Sequence, residues 1–172
     1  MSNLKLPLPR VGLVVRYEYL WRWQAVRGDK VAEKSRPCLL LSLHIPDTGP
    51  PRVLLAPITS KRPDRHASWD MIPPHVRDRL NLPGKESWLV YSEANIDVWP
   101  GRHLSAIPDR PTTGQGVDVC YGLSSGDFLH PIHASVGWLV QRMKVKATNR
   151  VWADMTKPAD PGTVYRPLGM AR

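Results

Sequence analysis

Over the first two thirds of the chain, apolar positions come in short bursts separated by polar turns. From Val11 to Trp21 (VGLVVRYEYLW), Leu13, Val15, Tyr17 and Tyr19 fall on one face at period two, which predicts a strand. Residues 22–36 are charged, include Gly28, and predict a long loop. Pro37 then precedes a continuous apolar strand, CLLLSLHI, and residues 45–51 predict a turn. The next strand is Arg52 to Thr59 (RVLLAPIT). Its Pro57 has no N–H to donate and belongs at an edge, a bulge or a strand end. A second polar loop covers 60–70, and Pro73 and Pro74 suit the first turn of a short helix, PHVRDRLNL, ended by Pro83-Gly84. Further strands are expected at Ser87 to Ser92 and Ile96 to Trp99, before a Gly/Pro-rich stretch reaching about residue 116.

The last quarter changes period. Phe128, Ile132, Val136, Leu139 and Met143 recur at the spacing of one helix face, which predicts a helix over about 127–147. Ser124 and Asp127 form its capping pair, and Pro131 should kink or restart it. After Arg150 the sequence is Pro-rich and unpatterned, as expected of a mobile tail. The expected organisation is therefore one domain over 1–150 followed by a tail over 151–172. The expected fold class is mainly β with helices (α+β), its short strands and turns arranged as a small barrel or sandwich.

Composition removes several classes. The chain has 172 residues, enough for one domain, and its longest apolar run is Cys38 to Leu41, far short of a membrane span. Residues 1–16 lack the apolar centre of a secretory signal, and two cysteines cannot build a disulfide framework. A soluble, cytoplasmic domain is the expectation. The net charge of +9 is uneven: +7 falls within residues 1–86 and +2 within 87–172. A polyanionic partner should therefore be met mainly by the N-terminal half.

Metal and nucleotide chemistry find no motif. The six histidines never pair at i, i+4 with an acidic partner, and His130-Pro-Ile-His133 lies on a helix otherwise explained by packing. No nucleophile elbow, Walker loop or dinucleotide fingerprint occurs, so neither a metal nor a cofactor is expected. Polar groups at strand ends remain. Arg36 immediately precedes one apolar strand and Thr59 closes the next, so adjacent strands can bring a guanidinium and a hydroxyl to one rim. Guanidinium is the side chain best matched to phosphate. Spacing alone favours the plainer reading, in which Arg36 is a solvated loop charge and Thr59 a strand-ending turn residue.

Three strings carry a resemblance: Val11-Gly-Leu-Val-Val-Arg-Tyr17, Lys34-Ser-Arg-Pro-Cys-Leu-Leu-Leu-Ser42 and Val53-Leu-Leu-Ala-Pro-Ile-Thr59. Together they resemble the MazF/PemK/Kid toxins of bacterial type II toxin–antitoxin systems, over roughly residues 10–145 in order and spacing. Ser92-Glu-Ala-Asn-Ile-Asp97, with Trp99-Pro-Gly101, looks like a later segment of that family. The resemblance implies an SH3-like barrel with a C-terminal helix, acting as a homodimer that cleaves single-stranded RNA without metal and is neutralised by an acidic antitoxin. It also implies attack by the RNA 2′-OH on phosphorus, giving a 2′,3′-cyclic phosphate and a 5′-OH. Carried over by motif, Arg36 would neutralise charge on the phosphorane and Thr59 would hydrogen-bond a phosphate oxygen. Glu93 is the candidate base, ahead of His66. Arg16, Lys34, Ser60, Lys61, Arg62, Arg65, Ser92 and Asn95 are the candidate RNA contacts. Trp21 and Trp23 are candidates for base stacking, or else core residues.

The chain departs from the compact toxins in its 22–36 loop, in a 60–86 insert with a helix, and after residue 150. The Gln-x-Arg-Thr-Ile-Asp pattern is not kept around 91–97. The competing class is a non-catalytic binder of the same fold, as in CcdB-type toxins that bind DNA gyrase. An RNA-binding module without toxicity is a third reading. Arg36 and Thr59 discriminate, since RNA cleavage needs them and gyrase binding does not.

Overall fold

The computed structural model describes residues 4–110, 117–141 and 145–151. Among these the chain runs β1 (Leu4–Lys5), β2 (Leu13–Tyr17), α1 (Arg22–Arg27), β3 (Arg36–His44), β4 (Arg52–Thr59), β5 (Trp69–Met71), α2 (Pro74–Arg79), β6 (Trp88–Val90), β7 (Glu93–Val98), β8 (Val117–Asp118), β9 (Cys120–Leu123), α3 (Gly126–Gln141) and β10 (Lys146–Asn149). The main sheet has the order β10-β7-β4-β3-β2-β9 and is antiparallel except for the β10–β7 pair. Its two ends, β10 and β9, do not pair with each other, so the sheet is open. The protein is thus a mainly antiparallel α+β fold. The tail expected over 151–172 lies, after Val151, outside the described residues.

Pro57 sits where its chemistry requires. On one side β4 pairs with β3 through Cys38↔Pro57; on the other it pairs with β7 up to Leu55 and with β6 from Ile58 onward. Pro57 occupies the handover between those partners, where no N–H is demanded.

The two faces of the sheet hold separate cores. Leu39, Leu54, Ala56, Ile58 and Ala94 face Val76 and Leu80 beside α2, and Phe128, Ile132, Val136 and Leu139 of α3. These four α3 residues are the stripe expected from periodicity; Met143 lies outside the described residues. Val15, Tyr17, Cys38, Leu40, Val53 and Leu55 face the other way, packed with Tyr19, Trp99 and Leu104.

Three expectations are corrected. The loop expected over 22–36 begins with α1, closed at each end by caps that outweigh its six-residue length. The Trp21 N–H donates to Gln24 Oε1 at 3.0 Å, and Gly28 takes the left-handed conformation (φ 99°) that ends the helix. The helix expected to reach 147 is described over Gly126–Gln141, and Lys146 and Ala147 belong instead to β10, which pairs with the otherwise open edge of β7. The strand expected through Trp21 ends at Tyr17, and β5 begins inside the stretch expected as a loop over 60–70.

The chain leaving β2 crosses the second core face over β7, and three alternate residues of β7 hold it. Asp97 Oδ2 accepts from the Tyr17 hydroxyl at 2.9 Å and lies 2.7 Å from His103 Nδ1. Asn95 clamps the Leu20 backbone, accepting from its N–H at 3.0 Å and donating to its carbonyl at 2.8 Å. Glu93 Oε1 accepts from the Tyr19 hydroxyl at 3.1 Å and from the Arg22 N–H at 3.0 Å, capping α1 from another strand. Gly101 leaves room for this arrangement, since a Cβ there would stand 2.9 Å from Asp97 Oδ2.

Asn95→Ala should therefore leave a buried N–H and a buried carbonyl on Leu20 unpaired, at a cost of roughly 2–4 kcal/mol. The denaturant midpoint of the variant measures this, and a midpoint equal to the native one would contradict the clamp.

Candidate functional site

The β3–β4 register brings Arg36 and Thr59 together. Its pairs run Cys38↔Pro57, Leu39↔Ala56 and Leu40↔Leu55, so extending it by two residues sets Arg36 across from Thr59. Both side chains continue the face of Cys38 and Leu55, past the end of the second core. They open on a cleft of about 440 Å³ that Arg16, Trp23, Lys34, Ser60 and Lys61 also line.

The Arg36 guanidinium lies over the Trp21 ring, 4.7 Å from its centroid, and Trp21 packs edge-on against Tyr19 at 5.2 Å. Half-buried in this way, Arg36 is pushed below its usual pKa, chiefly by loss of solvent. The Nε atoms of Arg36 and Arg16 are both buried without a hydrogen-bond partner. Two partly dehydrated guanidinium groups with open donors, joined by two exposed lysines, form a site that gains from an anion. The Thr59 hydroxyl oxygen accepts from the Lys61 N–H at 3.2 Å, leaving its own proton to donate outward.

Glu93 does not line this cleft. It faces an adjoining cavity of about 810 Å³, whose walls include Trp23, His66, Ser68, Ser92, Trp138 and Lys146. Trp23, 51% exposed, borders both spaces. Burial raises the Glu93 carboxyl above its ordinary value, outweighing the Arg22 N–H and Tyr19 hydroxyl that lower it.

The remaining expected contacts divide. Ser92 lines the Glu93 cavity. Arg62 stands 5.5 Å over Trp69, and Arg65 Nε donates to His66 Nε2 at 3.2 Å, so neither guanidinium joins the Arg36 cleft. Asn95 is fully buried, its amide committed to Leu20, and is a structural clamp instead of an RNA contact. Trp23 is no core residue, whereas Trp21 packs against the second core and carries Arg36. Sequence reasoning missed Glu33, a carboxylate lining the cleft, and Trp138 and Lys146 in the cavity. The position of Trp138, off the apolar stripe of α3, was the available signal. Among the described residues no three His, Cys, Asp or Glu side chains are grouped to hold a metal ion.

Comparison with protein-family models, with curated proteins and with solved structures finds no match.

Two measurements follow from this geometry. With Arg16, Lys34, Arg36 and Lys61 converging, binding of a single-stranded oligonucleotide should fall with salt at a log–log slope of about 3, taking about 0.7 per neutralised phosphate. Lys34→Ala with Lys61→Ala should reduce that slope by about 1.4, and Arg65→Ala should leave it in place. A carboxyl whose pKa is raised by folding holds its proton more tightly in the native state. Its contribution is complete below the unfolded value and is lost as pH rises through the folded one. The native protein should therefore lose stability relative to Glu93→Gln as pH rises above 4.5, and denaturation over a pH series checks the sign.

Proposed function

We propose that the protein is a metal-independent endoribonuclease of the MazF/PemK/Kid type, cleaving single-stranded RNA by attack of a 2′-OH on the adjacent phosphorus. The observation that carries this reading is the convergence of Arg36 and Thr59 on one cleft with the unpartnered Nε of Arg16. The fold side of the reading is an SH3-like barrel with a C-terminal helix. It draws on the central β2-β3-β4 antiparallel strands, with α3 packed on one face. A homodimer, a cytoplasmic setting and an acidic antitoxin that competes for the same cations belong to the same reading.

In the reaction, a scissile phosphate rests between the Arg36 guanidinium and the Thr59 hydroxyl. Arg36 offsets the charge that builds on the phosphorane oxygens, in a setting where few waters compete. Thr59 donates its proton to a non-bridging oxygen. The 2′-OH proton passes to a carboxylate as the cyclic phosphate closes, and a proton returned from that carboxyl through water completes the leaving 5′-hydroxyl, so that no net proton is gained or lost. Glu93, the base expected from sequence, opens on the neighbouring cavity with one oxygen already committed to Tyr19 and Arg22. The carboxylate on the cleft wall is Glu33, and the role of proton acceptor passes to it in this reading.

Arg36→Ala should slow cleavage by about 10²–10³, the order lost with one oxyanion donor. Thr59→Ala should cost about tenfold, the worth of one neutral hydrogen bond. The assay is cleavage of mixed-sequence single-stranded RNA in excess EDTA, with product ends identified. Full activity of Arg36→Ala would overturn the mechanism, and no cleavage by the native protein would favour the non-catalytic binder.

A further inference from the structure

The cavity next to the Arg36 cleft has the walls of a base-reading site. Trp23 borders both spaces, so a chain whose phosphate rests at Arg36 passes its indole on entering the cavity. The Arg27 guanidinium stands over the ring, 4.9 Å from its centroid, which leaves one ring face for stacking. Half of that tryptophan and three quarters of Val26 are exposed, an apolar surface that water solvates poorly. Against it stands one carboxylate in a fixed pose. Glu93 Oε1 is held by the Tyr19 hydroxyl and the Arg22 N–H, while no hydrogen bond from the described residues reaches Oε2. Beside Glu93, its register partner Lys146 on β10 supplies a cation to the same wall, and Ser92 a hydroxyl. An apolar stacking surface beside an oriented carboxylate is the equipment for reading one base edge.

We propose that this cavity seats one nucleobase of the RNA, stacked on Trp23, and that Glu93 Oε2 selects bases carrying an exocyclic amino group over uracil. The inference rests on the reading of the Arg36 cleft as an RNA phosphate site. It makes Glu93 a specificity residue that moves no proton. It also predicts an unusual consequence of a conservative change. In Glu93→Gln the Arg22 N–H can only donate, so the amide oxygen must stay on it, and Nε2 takes the place of Oε2. An acceptor at the pocket becomes a donor, which suits the O4 carbonyl of uracil.

The experiment measures binding of short oligo(rA), oligo(rC) and oligo(rU) by quenching of tryptophan fluorescence at one salt concentration. In parallel, cleavage sites in mixed-sequence RNA are mapped. The native protein should bind oligo(rC) and oligo(rA) at least about tenfold more tightly than oligo(rU), the worth of one hydrogen bond to a charged group. Glu93→Gln should reverse that order. Trp23→Ala should weaken all three by about tenfold and Trp23→Phe should recover most of the loss. A native protein indifferent to the base would overturn the proposal, with or without a stable Glu93→Gln variant. So would a Glu93→Gln protein that loses rate at an unchanged base preference, as a general base would. A base preference that reverses, in a protein that cleaves nothing, would keep the pocket and remove the endoribonuclease reading. Cleavage without base preference would do the opposite, and no RNA binding at all would remove both.

Discussion

Three alternate residues of β7 hold the second face of this protein together. Glu93, Asn95 and Asp97 point to the same side of the sheet, and each binds a different part of the chain between Tyr17 and Arg22. Burying two carboxylates and an amide is costly unless their lone pairs and protons are taken up. Here the donors are a buried tyrosine, a second tyrosine and backbone groups that would otherwise be orphans themselves. The arrangement fixes where the chain turns after β2, and so where α1 starts. Trp21 and Trp23 flank that start. The stack of Arg36 on Trp21 and the wall between cleft and cavity both follow from it.

The charges divide by what they face. Arg77 pairs with Asp78 at 2.7 Å, Arg110 with Asp118 at 2.9 Å, and Arg27 with Asp29. Surface pairs of this kind, the Arg110–Asp118 pair being half-buried, mainly orient loops, and an exposed one contributes at most about 1 kcal/mol. The cations that open on the Arg36 cleft come from three separate stretches of chain. Arg16 lies on β2, Lys34 and Arg36 at the start of β3, and Lys61 just past β4. Four cations gather at one strand end against the single carboxylate of Glu33 among the described lining residues, and an entering anion lowers the repulsion that remains. That asymmetry, more than the overall charge of +9, gives the cleft its meaning.

In the base-reading proposal Glu93 serves fold and ligand at once. One oxygen caps α1 and anchors Tyr19; the other is left to the cavity. A carboxylate fixed at one oxygen is a more selective reader than a free one, because it cannot swing to suit a different partner. Burial raises the Glu93 pKa, against the Arg22 N–H and Tyr19 hydroxyl that lower it.

The sequence alone determined the local features: the strands at Arg36–His44 and Arg52–Thr59, the apolar stripe of α3, and the helix opened by Pro74. Each is a matter of period or of one proline, and needs no distant partner. The meeting of Arg36 and Thr59 was legible too, because it follows from two adjacent strands in antiparallel register. What only the tertiary structure decided depends on pairs far apart in the chain. Asn95 reads as a surface polar residue until Leu20, 75 positions away, arrives to occupy its amide. Glu93 reads as a candidate base until Arg22 and Tyr19 take one of its oxygens. Residues 146 and 147 read as the end of a helix until the open edge of β7 offers them hydrogen bonds a helix end lacks. Local pattern carries propensity worth tenths of a kcal/mol per residue, whereas a buried polar group left unpaired costs several times more. Where the two conflict, the distant partner decides.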